Sequence, residues 1–278
     1  MSPEVLRTLL RDHTTGRNIF WATHDYEALG SAYDYHAEIL PELITGENSK
    51  VVRPRVLKSK ENQTDRSKDM AEVFTPSWIC NAQNNLVCKA LGQSSSPHGE
   101  DGRGLGFVRL TCLEITCGEA PYLVSRYDAA TGEPIPLQER IGLLDRKLRL
   151  ISANTETSDE WLDWAQTAYM NTYGYEWQGD SLLLARQNLL FSFLEYYEAK
   201  FHEVPSSERI NEIADIISWN LWQMDGLKYG IPGYEPTECL EDSFCNTFFP
   251  PAPEERYCRI RDWEANEEIL YINLLNGK

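Results

Sequence analysis

Three short apolar runs lie along the middle of the chain, and segments of helical periodicity surround them. Residues 107–113 are partly β-branched and follow glycines, which predicts a buried strand. Residues 173–177 predict a second strand, and residues 216–227 a third, although a helix also fits this last run. Strands that alternate with helices predict an α/β fold with a parallel sheet.

Apolar residues at helical spacing predict the elements around these strands. In the first helix, Val5, Leu6 and Leu9 share one face. The predicted helices cover residues 3–10, residues 77–87 with Thr75 or Ser77 as cap, a segment starting at Pro121, residues 137–150, residues 159–170 with Ser158 as cap, and residues 181–197.

Each predicted strand is followed by an acidic residue. Glu114 precedes a tight turn at Gly118, Glu176 ends the second run, and Asp225 closes the third. Glycine lets the backbone approach a ligand closely, and ligands bind at the carboxyl ends of parallel strands. An acid after the second strand is where a Rossmann-type unit binds ribose hydroxyls. The pattern predicts a nucleotide-type site, while ordinary strand-to-helix turns with surface acids are the alternative.

Charge is distributed unevenly along the chain. A formal net charge of −17 over 278 residues argues against nucleic-acid binding by bulk electrostatics alone. Residues 50–68 are nevertheless locally basic, which is typical of either a solvated loop or a strip that contacts phosphate groups. The candidate DNA-binding residues in this strip are Arg53, Arg55, Lys58 and Lys60.

Cysteine usage and hydropathy indicate the cellular compartment of the protein. The seven cysteines are scattered without a framework, and no signal peptide or bilayer-spanning apolar run is recognisable. We therefore expect a reduced, cytoplasmic protein without a membrane partner. Cys239, Cys245 and Cys258 lack a paired Cys-x-x-Cys spacing, so they are only a weak indication of zinc and we predict no metal site.

Several segments together resemble a known family, the adenine-specific, S-adenosylmethionine-dependent DNA methyltransferases of restriction–modification systems, including those labelled restriction endonuclease subunit M. Residues 71–76 resemble the segment before the first strand of that family. Residues 113–123 resemble its Asp-Pro-Ala-Cys-Gly-x-Gly-x-Phe-Leu cofactor loop. Residues 173–176 and 184–189 resemble its second strand and the following helix, and residues 220–227 its third strand end.

The resemblance implies a fold, a cofactor and a site. The fold would be a Rossmann-like class I methyltransferase sheet over residues 70–230, with helices on both faces. Outside the resemblance, the residues themselves predict a mixed N-terminal extension, residues 1–69, and a Pro-rich C-terminal segment, residues 231–278, in which the alternating residues 257–263 and residues 268–275 are a possible closing hairpin. The cofactor would be S-adenosyl-L-methionine. The residues that would bind it are Phe74, Thr75, Pro76, Glu114, Thr116, Cys117, Gly118, Glu119, Ala120, Glu176, Trp177 and Asp225.

The chain departs from the family at three places. Glu114 replaces an aspartate, and Ala120 replaces the second glycine of the loop. The Asn/Asp/Ser-Pro-Pro-aromatic tetrapeptide that holds a flipped adenine is missing. The nearest sequence is residues 246–251, where Asn246 would accept the amine and Phe249, or its neighbour Phe248, would stack on the base.

Three functions are consistent with these observations. The first is a DNA adenine methyltransferase, or a modification subunit, with DNA and a restriction or specificity subunit as partners. The second is a catalytically degenerate protein that binds the cofactor and acts through a partner, which the missing tetrapeptide favours. The third is an acidic anti-restriction protein, suggested by the net charge of −17.

Overall fold

Three parallel strands form the centre of the computed structural model, which describes residues 1–58, 75–91, 104–233 and 257–275. They are β1 (Cys112–Glu114), β2 (Thr172–Glu176) and β3 (Leu221–Gln223), adjacent in the order β1-β2-β3. The register pairs Glu114 with Gly174 and Glu176 with Gln223, so the three carboxyl ends lie at one edge. The chain is therefore an α/β protein with a parallel sheet, an arrangement compatible with a Rossmann-like fold.

Several of the described helices begin at a capping side chain or a proline. Ser2 accepts a hydrogen bond from the Val5 N–H, and Thr157 and Ser206 cap later helices in the same way. The α-helices are α1 (Pro3–Leu10), α2 (Pro41–Ile44), α3 (Ser77–Ala90), α4 (Gly104–Val108), α5 (Leu143–Asn154), α6 (Ser158–Met170), α7 (Gly179–Phe201), α8 (Ser207–Asn220) and α9 (Tyr271–Leu275).

The long helices cover one face of the sheet. Helix α7 is buried along most of its length, and it packs with α1, α5, α6 and α8 in one large apolar core. The opposite face carries a hairpin, β4 (Arg259–Asp262) with β5 (Glu267–Leu270), followed by α9. Tyr175, Trp222 and Tyr271 pack between this hairpin and the sheet. The predicted closing hairpin is confirmed, whereas long helices on both faces are not found among the described residues.

Several predicted elements are wrong in detail. Phe107 and Val108 belong to α4, and Leu113 in the short strand β1 is 42% exposed because β1 is an edge strand. No helix starts at Pro121, because the carbonyls of Tyr122 and Leu123 accept hydrogen bonds from the start of α5. The N-cap residue of α3 is Pro76 and the Ser77 N–H donates to Asp128 Oδ2 at 2.8 Å, so neither Thr75 nor Ser77 has the predicted role, and Thr157 rather than Ser158 caps α6.

The third apolar run is both a helix and a strand. Helix α8 ends at Asn220, and β3 starts at the next residue. The Asn220 side chain fixes this change, since its Nδ2 donates to the carbonyls of Tyr169 at 2.9 Å and Thr172 at 3.2 Å. Its Oδ1 accepts a hydrogen bond from the Trp263 indole at 2.7 Å. The two alternatives left open by the sequence therefore apply to successive halves of the run.

A buried arginine joins the N-terminal segment to the core. Arg186 of α7 is fully buried and donates to the carbonyls of Leu9, Arg11, Ser218 and Leu221 at 2.6–3.0 Å. Burial lowers the pKa of its guanidinium to about 10, so it stays charged at neutral pH. Residues at the end of α1 and the start of β3 are thus held by one side chain.

None of the described helices combines the length and the apolar character that a bilayer crossing requires.

We expect Arg186→Met to lower the free energy of unfolding by about 3–5 kcal/mol, because four buried carbonyl acceptors lose their charged donor. Arg209→Met is the matched control, since Arg209 is about one-third exposed and pairs with surface acids; it should cost about 0–1 kcal/mol. Urea unfolding followed by fluorescence measures both. Equal losses in the two variants would contradict the role of Arg186.

Candidate functional site

Two hydrogen bonds, both donated by backbone N–H groups, hold the loop after β1 against the end of β2. The Cys117 N–H donates to the carbonyl of Tyr175, and the Gly118 N–H donates to Glu176 Oε2, each at 2.8 Å. Glu176 Oε1 accepts from the Gln178 N–H at 3.1 Å. A Cβ at Gly174 would lie 3.3 Å from Cys117 Sγ, so the absent side chain lets the loop approach the strand. The structure therefore brings the predicted loop and the predicted ribose-binding acid together.

Three left-handed residues shape this loop. Thr116, Gly118 and Ala120 have φ of 46°, 54° and 61°. Ala120 adopts a left-handed conformation that favours glycine, although it carries a side chain. Each non-glycine residue in this region costs about 1–3 kcal/mol. Such strain is retained where the surrounding contacts fix the loop, which is common at ligand sites.

Glu114 lies under the loop. Its carboxylate accepts hydrogen bonds from the N–H groups of Tyr122 at 3.3 Å and Leu123 at 3.2 Å. Burial raises the pKa of Glu114 to about 8, the nearby Glu176 carboxylate adds to the rise, and the two N–H donors oppose it. The same burial keeps the pKa of the Cys117 thiol well above its usual range, so this cysteine is a neutral packing residue.

Asp225 follows β3 at the same edge. Its Oδ1 accepts from the N–H groups of Leu227 at 2.8 Å and Lys228 at 3.1 Å, which orders the turn after the strand. Its Oδ2 accepts no hydrogen bond within the described part of the chain. Oδ2 of Asp225 can therefore accept a hydrogen bond from a ligand at this edge of the sheet. Trp177, next to Glu176, donates its indole N–H to the Tyr35 hydroxyl at 3.0 Å.

The start of α3 lies close to the same loop. Asn84 of α3 donates to the carbonyls of Tyr122 at 3.0 Å and Ile141 at 3.2 Å, which joins the helix to the segment after the loop. Thr75 and Pro76 directly precede this helix, while Phe74 lies outside the described residues. The order of these segments is the one that the sequence predicts.

Glu119 has a different place from the predicted one. Its buried carboxylate accepts from the Arg55 N–H at 2.7 Å and from the Tyr127 hydroxyl. Its carbonyl accepts from Asn188 Nδ2 at 3.0 Å. Glu119 therefore joins the loop after β1 to the basic segment, a contact that the sequence does not predict.

Lys58 is also placed differently from the prediction. Its ammonium group is buried and pairs with the fully buried Asp180 at 2.7 Å. The Tyr26 hydroxyl donates to the same carboxylate oxygen at 2.6 Å. Lys58 thus forms a buried ion pair, a contact that its place in the basic strip does not predict. Among the other candidates Arg53 is exposed, Arg55 is half-buried, and Lys60 lies outside the described residues.

The N-terminal segment contacts the ends of β2 and β3, which the sequence does not predict. The Gln223 side chain accepts from the Phe20 N–H at 3.0 Å and donates to the Phe20 carbonyl at 2.8 Å. A Cβ at Gly179 would lie 2.0 Å from the same carbonyl oxygen. Gly179, three residues after the end of β2, is the sequence signal of this close backbone approach.

The predicted catalytic residues, Asn246 and Phe249, lie outside the described residues, as do Cys239 and Cys245. Cys258 is buried, and its thiol donates to the carbonyl of Gln223 at 3.3 Å. No group of His, Cys, Asp and Glu side chains within the described ranges is arranged to hold a metal ion.

Comparisons with known proteins return nothing: no family model, no curated protein and no solved structure matches this chain.

Glu114 is expected to make stability pH-dependent. Its pKa rises from 4.5 to about 8 on folding, so the folded state holds an extra proton between these values and loses stability as pH rises through the window. Glu114→Gln mimics the protonated form and should flatten this part of the curve. Urea unfolding at intervals from about pH 5 to about pH 9 measures it. Parallel curves for the two proteins would contradict the prediction.

Proposed function

We propose that the protein binds S-adenosyl-L-methionine at the carboxyl edge of the sheet and acts as a DNA adenine methyltransferase or the modification subunit of a restriction–modification system. One observation carries this proposal. Glu114, Glu176 and Asp225 follow three adjacent parallel strands, and the left-handed Gly118 loop is fastened between the first two. Ligands of Rossmann-like proteins bind at this edge.

Glu176 suits the ribose. Its carboxylate ends β2, where Rossmann-like proteins bind ribose hydroxyls, and it accepts hydrogen bonds from the N–H groups of Gly118 and Gln178. The bond to Gly118 also fixes the direction of the carboxylate before a ligand arrives. An acceptor that is already oriented loses less entropy on binding.

Asp225 and Trp177 suit the adenine ring of the cofactor. Oδ2 of Asp225 can accept from the exocyclic amine, since the turn uses only Oδ1. The Trp177 ring is held by Tyr35 beside the strand end, where a flat ligand can stack. The carboxylates at the strand ends also attract the positive charge of a sulfonium group. When bound, S-adenosylmethionine supplies an electrophilic methyl group.

We predict that the protein binds S-adenosylhomocysteine at micromolar concentration and that Glu176→Gln weakens binding about 10–100-fold, as the loss of a charged acceptor costs about 1.5–3 kcal/mol. The exposed Glu203→Gln is the matched control and should leave the affinity unchanged. Calorimetry measures both. Absence of binding by the unmodified protein, or the same loss in both variants, would overturn the proposal.

Asp180→Ala is unsuitable as a control because it would leave Lys58 buried without its partner carboxylate.

A second candidate function is a cofactor-binding protein without methyl transfer. The observation that favours it is the missing Asn/Asp/Ser-Pro-Pro-aromatic tetrapeptide. Transfer needs a polar acceptor that directs the amine lone pair towards the methyl group, and residues 246–251 are the nearest match. The two candidates differ only in this step.

Asn246→Ala distinguishes the two candidates. If Asn246 accepts the adenine amine, the substitution should abolish transfer of labelled methyl groups to DNA, because the amine is no longer oriented, and should leave cofactor affinity unchanged. The transfer assay is run with calorimetry on the same preparation. Cofactor binding without any transfer by the unmodified protein would favour the second function. Unchanged transfer by the variant would remove Asn246 from the mechanism.

A further inference from the structure

A cleft of about 630 Å³ lies between residues 49–57 and helix α7, behind the loop after β1. Its volume is within the usual range for ligand sites. The N–H donors in its lining that carry positive charge or an amide group belong to Lys50, Arg53, Arg126 and Gln187, whereas the Tyr127 hydroxyl and the Asn188 amide nitrogen, in the same lining, donate within the fold.

The cleft concentrates positive charge on an acidic protein. Lys50 and Arg53 are exposed and form no ion pair within the described part of the chain. Arg126 and Arg140 share one carboxylate, Glu195, at 2.5 and 2.6 Å, which leaves one positive charge in excess. Because the net charge of the chain is −17, the remaining surface repels polyanions. A polyanion would therefore approach the protein at this cleft.

The donor set is suited to a sugar–phosphate chain. Lysine and arginine bind phosphate oxygens, and an amide such as that of Gln187 is a typical contact to phosphate and sugar. The Arg126 guanidinium lies 4.9 Å from the centre of the Phe191 ring, and Glu195 holds it there. This fixes a flat cationic plane, which supports a stacked base.

The cleft shares a wall with the cofactor loop. The Tyr127 hydroxyl donates to the Glu119 carboxylate and accepts from Asn188 Nδ2 at 3.1 Å. Asn188 also donates to the Glu119 carbonyl at 3.0 Å. A strand in the cleft would therefore lie directly behind residues that position the Gly118 loop.

We propose that this cleft binds the sugar–phosphate backbone of a nucleic-acid strand next to the cofactor loop. The proposal rests on the proposed function in taking DNA as the polymer. The sequence predicts a continuous strip of phosphate-contacting residues. The proposed site is instead formed by residues that are distant in the chain: it contains Lys50, Arg53 and Arg126 and does not contain Lys58.

The test is fluorescence anisotropy with labelled single-stranded and duplex DNA over a range of salt concentrations. The variant Lys50→Ala with Arg53→Ala should bind more weakly and reduce the slope of log K against log salt by about 1.8 for duplex DNA, or about 0.9 for each lost phosphate contact. The control, Lys89→Ala with Arg209→Ala, removes the same charge outside the cleft and should keep the slope of the unmodified protein.

Three outcomes would overturn the proposal. They are equal losses in the cleft variant and the control, no DNA binding by the unmodified protein, and full displacement of DNA by low concentrations of inorganic phosphate, which would indicate a small-anion site. Calorimetry with S-adenosylhomocysteine on the same preparations separates these failures from failure of the cofactor site, because neither Lys50 nor Arg53 lies at the strand ends.

Discussion

The hydrogen bond from the Gly118 N–H to the Glu176 carboxylate is the contact on which the proposed site depends. It joins the loop after β1 to the acid at the end of β2, so the loop cannot move unless the end of β2 moves with it. The left-handed residues on either side of Cys117 make this approach possible. Their strain is tolerated because the Cys117 N–H is bonded to the Tyr175 carbonyl and Glu119 is held by Arg55, Tyr127 and Asn188. The loop is therefore organised before any ligand binds.

The N-terminal segment completes this arrangement. Arg186 fastens it to the core at one end, the Phe20 backbone pairs with the Gln223 side chain at the strand ends, and Lys58 meets Asp180 at the start of α7. The first 58 residues thus share the core and contact the strand ends. Lys50 and Arg53 line the cleft that we propose to bind phosphate, and the neighbouring Arg55 donates its N–H to Glu119 in the loop after β1. The proposed phosphate site and the proposed cofactor site therefore adjoin the same loop.

The sequence predicts secondary structure correctly where contacts between residues close in the chain determine that structure. Residues 172–176 form a strand and residues 179–201 a helix, as the apolar run and its following acid and glycine indicate. Non-local contacts decided the rest. Phe107 and Val108 are apolar because they pack in a short helix near α5, and Pro121 starts no helix because the following carbonyls bond to residues 143 and 144. The pairing of Lys58 with Asp180 spans 122 positions, so charge pattern alone could not reveal it.

Hydrogen–deuterium exchange with and without S-adenosylhomocysteine tests the central claim most directly, because it reports where a ligand binds on the unmodified chain. The account predicts slower exchange in residues 115–120, 175–178 and 224–230, which form the three strand ends and their loops, and unchanged exchange in helix α8. Protection that is confined to other segments, or no protection with saturating ligand, would contradict a cofactor site at this edge of the sheet.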